Sequence, residues 1–126
     1  MKKVSIENIE FVVTKITGIT KEQIKIKTHK PEIAYPRQLV LSLAYFVFKS
    51  ASVAKVAEYY NMDHSSIYPA KKSIIRYCTT YSEKREQVET VLSLLKDHVD
   101  IKDEQVKLNI RLFEKEIKPF KKQKYV

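Results

Sequence analysis

Apolar residues return every three or four positions along most of this chain, which is the period of a helix with one buried face. Ile6, Ile9, Val13 and Ile16 set the first stripe, and Gly18 follows as a left-handed stop. Thr20-Lys21-Glu22-Gln23 then reads as a capping box, with the Thr20 hydroxyl accepting from a first-turn amide and Gln23 reaching back. The helix it opens is short, because Ile24-Lys25-Ile26-Lys27 gives way to a loop running through Glu32. Pro36 is expected as the first residue of the next helix, where its missing N–H costs nothing. From Arg37 to Phe48, the residues Leu39, Val40, Leu41, Leu43, Ala44, Phe46, Val47 and Phe48 leave little polar face. A helix apolar on most sides is a buried one, so this segment is the expected spine of the core.

Ser52 is expected to cap a short helix with Val53, Val56, Ala57 and Tyr60 on one stripe. Asn61-Met62 makes a brief turn, and Asp63 caps a helix that opens His64-Ser65-Ser66 and buries Ile67, Ala70, Ile74 and Tyr77 or Cys78. Ser82 starts another helix with Val88, Val91, Leu92 and Leu95 in register, and Val106, Ile110, Phe113 and Ile117 mark a last one. The pattern predicts six or seven helices and no strand. The fold class is all-α: a compact helical bundle over residues 1–98, with a C-terminal helix and basic tail over residues 99–126.

Composition narrows the chemistry. One glycine in 126 residues removes the glycine-rich phosphate loops of nucleotide binders and argues against an all-β chain with its repeated tight turns. A single cysteine, Cys78, excludes an intramolecular disulfide or a Cys-cluster zinc site, and its place on an apolar stripe reads as burial. His29, His64 and His98 fall on three separate elements without metal-ligand spacing, so no metal and no cofactor are expected. Asp63-His64-Ser65 are consecutive, whereas a catalytic triad is assembled across a fold, so no enzyme is expected. No run approaches the roughly 20 apolar residues of a membrane span, and Met1-Lys2-Lys3 opens no secretory signal. The expected location is the cytoplasm.

The net charge is +9, and it is uneven. Thirteen basic and six acidic residues fall in residues 1–82, against eleven and nine in residues 83–126. A basic excess on one folded region is the electrostatic footprint of a nucleic-acid binder, or else a solvated lysine-rich surface. The two short helices around Asn61-Met62, the second opening on small polar side chains, read as a helix-turn-helix. In that motif the start of the second helix reaches base edges: Asp63 can accept from a cytosine amino group, His64 can donate to a purine, and Ser65 and Ser66 can donate to bases or phosphates. Lys71 and Lys72 follow on a side that could face backbone phosphates.

Ile6-Glu7-Asn8-Ile9, then Ala34-Tyr35-Pro36-Arg37-Gln38, then Asp63-His64-Ser65-Ser66-Ile67 resemble, in order and near-matching spacing, the C-terminal DNA-binding domain of the bacterial replication initiator DnaA. The resemblance covers about residues 6–95 and implies the Trp-repressor and DnaA C-terminal-domain type of helical fold. It implies double-stranded DNA as partner, with Arg37 and Gln38 at the DNA backbone and Asp63, His64, Ser65 and Ser66 reading the major groove. The loop Lys27–Glu32 matches a basic loop that enters the adjacent minor groove, through Lys27, His29 and Lys30 here. This sequence departs from the pattern in several places. His29 stands where the family has an arginine, giving up a fixed charge, and Lys27 or Lys30 can replace it in part only as point charges. Tyr45 replaces a phosphate-facing lysine, the turn at Asn61-Met62 lacks the family's glycine, and Pro69 falls at what should be an interior helical position.

The initiator's ATPase has no counterpart here, so the expectation is a free-standing module that binds no nucleotide. It would act by occupying sites, as a replication accessory factor, a competitor, or a transcriptional regulator. The other reading keeps the fold for protein–protein interaction, with weakened DNA reading. In that case the stripe Val106, Ile110, Phe113 and Ile117 either packs back on the domain or pairs with a second copy.

Overall fold

A computed structural model describes residues 5–48, 53–98 and 101–118. Among them are six α-helices and two short 3-10 turns, with no strand. Helix α1, Ile6–Thr17, is capped by Ser5, whose hydroxyl accepts from the Asn8 N–H at 3.1 Å. It stops at Gly18, where φ is 78° and the N–H returns to the Thr14 carbonyl at 2.9 Å. The capping box is present in both halves: Thr20 N–H donates to Gln23 Oε1 at 2.9 Å, and Gln23 N–H donates to Thr20 Oγ1 at 3.0 Å. What it opens is a 3-10 turn, Gln23–Lys25.

Helix α2 spans Pro31–Phe48, a turn and more longer than the sequence pattern suggests. Pro36 is therefore inside the helix and not its first residue, and Pro31 and Glu32 belong to the helix instead of the loop. Both prolines suit a first helical position. The upstream one takes it because the N–H groups of Ile33 and Ala34 both find the Lys30 carbonyl, at 3.0 and 2.8 Å. Leu39 to Ala44 are buried without a break, Ser42 included, whose hydroxyl bonds back to the Gln38 carbonyl at 2.7 Å. This helix is the spine, packed against α1, α3, α4 and α6.

Helix α3, Val53–Tyr59, buries Val56 and Ala57, and Tyr60 just beyond it is buried too. Its expected cap, Ser52, lies outside the described residues. The chain then turns at Asn61, whose φ of 53° puts an asparagine in the left-handed conformation it tolerates better than most residues. The Ala57 carbonyl accepts from both Tyr60 and Met62 N–H, at 3.1 and 2.8 Å. His64–Ser66 form a 3-10 turn, and α4 proper starts at Ile67 and runs to Thr80. That division places Pro69 in the first turn of α4, where N–H groups lack an i−4 partner within the helix. We expect Pro69→Ala to shift unfolding stability by less than about 1 kcal/mol, not to relieve the ~3 kcal/mol of an interior proline. Urea unfolding followed by far-ultraviolet circular dichroism measures the difference.

Helix α5, Ser82–His98, buries Val88, Val91, Leu92 and Leu95 against α1 and α4. Asp103 caps α6, Glu104–Glu116, accepting from the N–H groups of Gln105 and Val106 at 2.8 and 3.4 Å. Ile110, Phe113 and Ile117 are buried in the same core as α1 to α5, Val106 packs at its edge, and α6 lies on α2. The stripe considered for pairing with a second copy is thus covered by the chain itself.

Candidate nucleic-acid interface

The turn between α3 and α4 is built on Asp63. Its Oδ1 accepts from the Ser65 N–H at 2.9 Å and its carbonyl from the Ser66 N–H at 2.9 Å. One carboxylate oxygen is therefore committed to holding the turn, which gives Asp63 a structural duty beside any contact with a base. Ser65 is exposed and Ser66 half-buried, so Ser65 carries the more accessible hydroxyl. His64 belongs to the same turn, and its side chain lies outside the described structure.

The basic loop sits between the first 3-10 turn and α2. Lys27, His29 and Lys30 are exposed, and Thr28 Oγ1 accepts from the Lys30 N–H at 3.2 Å, a tight local turn at the mouth of α2. Arg37, one turn and more into α2, reaches back to this loop. Its Nη1 donates to the carbonyls of Ile26 at 2.6 Å and Ile24 at 3.5 Å, and its Nη2 to that of Thr28 at 2.9 Å. Partial burial lowers the guanidinium pKa, yet an arginine stays protonated in proteins. Lys27, His29, Arg37, Asp63 and Ser66 all line one cleft of about 410 Å³. Segments more than 30 residues apart in sequence thus converge in one place.

The remaining sites suggested by the sequence are placed differently. Gln38 is half-buried on α2. Lys72 is exposed on α4, with Nζ 5.8 Å from the Tyr68 ring centroid. Lys71 is half-buried among three rings, its Nζ 5.2 Å from Tyr45, 4.9 Å from Phe46 and 5.5 Å from Tyr68. An ammonium over aromatic faces is electrostatically held there, so Lys71 is less available to a phosphate than Lys72. Tyr45, where a lysine would face a phosphate, instead meets Tyr68 edge to face at 6.0 Å. This tyrosine–lysine cluster beside the turn between α3 and α4 was not legible in the sequence, because nothing along the chain pairs position 45 with position 68.

Behind the turn lies a buried carboxylate. Glu10 on α1 is 2% exposed and accepts from the Tyr59 hydroxyl at 2.9 Å and the Tyr60 hydroxyl at 2.7 Å. Burial, reinforced by these bonds to Glu10, pushes both phenols well above the ordinary tyrosine range. Lys25 Nζ stands 4.4 Å from the Tyr59 ring centroid. The sequence does carry a signal for Glu10: it falls beside Ile9 and between Ile6 and Val13, on the stripe that should be apolar.

Cys78 is fully buried on α4, and burial pushes its thiol up to about 11, the state of an unreactive thiol. Among the described residues no group of three or more His, Cys, Asp or Glu is placed to hold a metal ion, and no helix is long and apolar enough to cross a membrane. Set against known families, residues 6–74 match the helix-turn-helix of the bacterial DnaA protein.

Proposed function

We propose that the chain, which belongs to the bacterial DnaA helix-turn-helix family, binds double-stranded DNA with sequence preference and acts by occupying its sites. Ser65, Ser66, His64 and Asp63 are read as the major-groove contacts, and Lys27, His29 and Lys30 as the contacts in the adjacent minor groove. Gln38 and Lys72 meet the backbone. The observation that carries this reading is the single cleft shared by the basic loop and the recognition turn. The DNA-binding role belongs to residues 1–98, with residues 99–126 supporting the domain. The role is that of a replication accessory or competitor, or of a transcriptional regulator, in the cytoplasm at the nucleoid. A role of this kind needs no ATPase or other catalytic activity.

Fluorescence anisotropy tests it, with a labelled duplex carrying the initiator family's recognition box and a scrambled duplex beside it. The expected result is preference for the box, reduced about tenfold or more by His64→Ala or Ser65→Ala, the scale of a lost base contact. Binding should weaken with salt at roughly one log–log unit per phosphate engaged. Equal binding to both duplexes would remove the sequence preference. No binding to either at moderate salt would sink the occupancy reading altogether.

A further inference from the structure

Arg37 is assigned a phosphate by family resemblance, yet in the free protein its guanidinium is already engaged. The carbonyls it holds belong to Ile24, in the 3-10 turn, and to Ile26 and Thr28 in the loop that follows, every second residue along the chain. Ile26 is extended, with φ −69° and ψ 129°, and extended backbone turns alternate residues to the same side. One planar fork can therefore gather carbonyls that a helix or sheet would otherwise have satisfied. Arg37 itself rises from the rigid part of the molecule, two residues before the buried run that starts at Leu39. It ties the loop to the buried spine helix α2. Lys27 and His29 flank Thr28, so the bond to the Thr28 carbonyl sets the direction from which both side chains leave the loop.

We propose that Arg37 is a positioning residue for DNA recognition, clamping the loop so that Lys27 and His29 are presented to the duplex, and that its effect on binding runs mainly through them. The proposal rests on the reading of the loop and turn as a DNA interface. A guanidinium carries five N–H donors, so these three bonds hold the loop while leaving donors that face the cleft. Lysine is no substitute, since an ammonium on a flexible stem cannot span carbonyls so far apart along the chain.

Two measurements on the full chain separate the clamp from the phosphate ligand. The first is limited trypsin digestion without DNA, following cuts after Lys25 and Lys27 with the cut after Lys84 on α5 as the control for global unfolding. Arg37→Gln should raise loop cleavage about tenfold or more at unchanged Lys84 cleavage, and Arg37→Lys should fail to restore protection. A phosphate ligand has no reason to change loop cleavage in the free protein. The second is a double-mutant cycle on the box duplex. Arg37→Gln alone should weaken binding about tenfold, but added to Lys27→Ala and His29→Ala together it should weaken it by no more than about twofold, because residues acting through one another are not additive. Unchanged loop cleavage, with affinity losses that multiply and a salt slope shallower by about one unit, would overturn the clamp and make Arg37 a phosphate contact. A wild-type chain that binds no duplex overturns the DNA reading, and the recognition role of Arg37 with it. Binding by wild type alongside an unprotected loop overturns the clamp alone.

Discussion

Phe113→Ala should remove about 3–5 kcal/mol of unfolding stability, the cost of truncating a fully enclosed aromatic ring. Phe113 is 0% exposed and its ring lies 4.4 Å from that of Phe46, which ties α6 to the spine helix α2. Ile110 and Ile117 close the contact on either side, both buried. Because the partners belong to the same chain, the urea midpoint of wild type and variant should not depend on protein concentration. A stripe reserved for a second copy would behave otherwise: its loss would lower a dimer's stability in a concentration-dependent way and leave the monomer's core intact. Leu112→Ala, one residue away but 46% exposed, is the control, expected to change stability by about 0.5 kcal/mol or less. The two variants together decide whether α6 is part of the core or an appendage to it.

The helices and their buried faces were legible because periodicity reports burial directly. Ile9 and Val13, Val56 and Ala57, Ile67 and Ile74, and Val88 to Leu95 fall on the stripes the sequence draws. The stop at Gly18 and the capping box at Thr20 are local chemistry, settled within three or four residues, and so they too can be read along the chain. What failed was a choice between two residues with the same local preference. Pro31 and Pro36 both suit a helix start, and only the Lys30 carbonyl meeting two N–H groups selects the first. Pro69 was misread for a related reason, since His64–Ser66 form a 3-10 turn and α4 begins only at Ile67, a boundary that no pattern along the chain marks. At the candidate site the residue types were legible and their partners were not. Arg37 could be singled out by its motif, but its hold on Ile26 and Thr28 depends on a loop path that exists only in three dimensions.

Tyr60→Phe should cost about 1.5–3 kcal/mol, the range for a hydrogen bond to a charged acceptor, because it deprives a buried carboxylate of a donor. Glu10 is 2% exposed and its two hydroxyl partners come from adjacent residues at the end of α3. Glu10→Ala should be at least as damaging, since it strips two phenols of their acceptor and leaves a void. The asymmetry of buried polar groups gives the sharper test. Removing every polar member at once, with Glu10→Leu, Tyr59→Phe and Tyr60→Phe combined, should recover most of what either single change loses. Thermal and urea unfolding of the four proteins would show it, and a triple variant worse than the singles would refute the network as the source of the cost. The pH dependence has a definite sign. The folded state holds both phenols in the neutral form by raising their pKa values, so this contribution is complete below about pH 10, where an unfolded phenol begins to ionise. It is lost as the pH rises above that point, and Tyr60→Phe should make the alkaline decline shallower. The effect reaches the interface because Tyr60 immediately precedes Asn61, whose left-handed turn delivers Asp63 and the serines. In Tyr60→Phe the loss of duplex affinity should therefore accompany the loss of stability even at pH 7, where no tyrosine titrates.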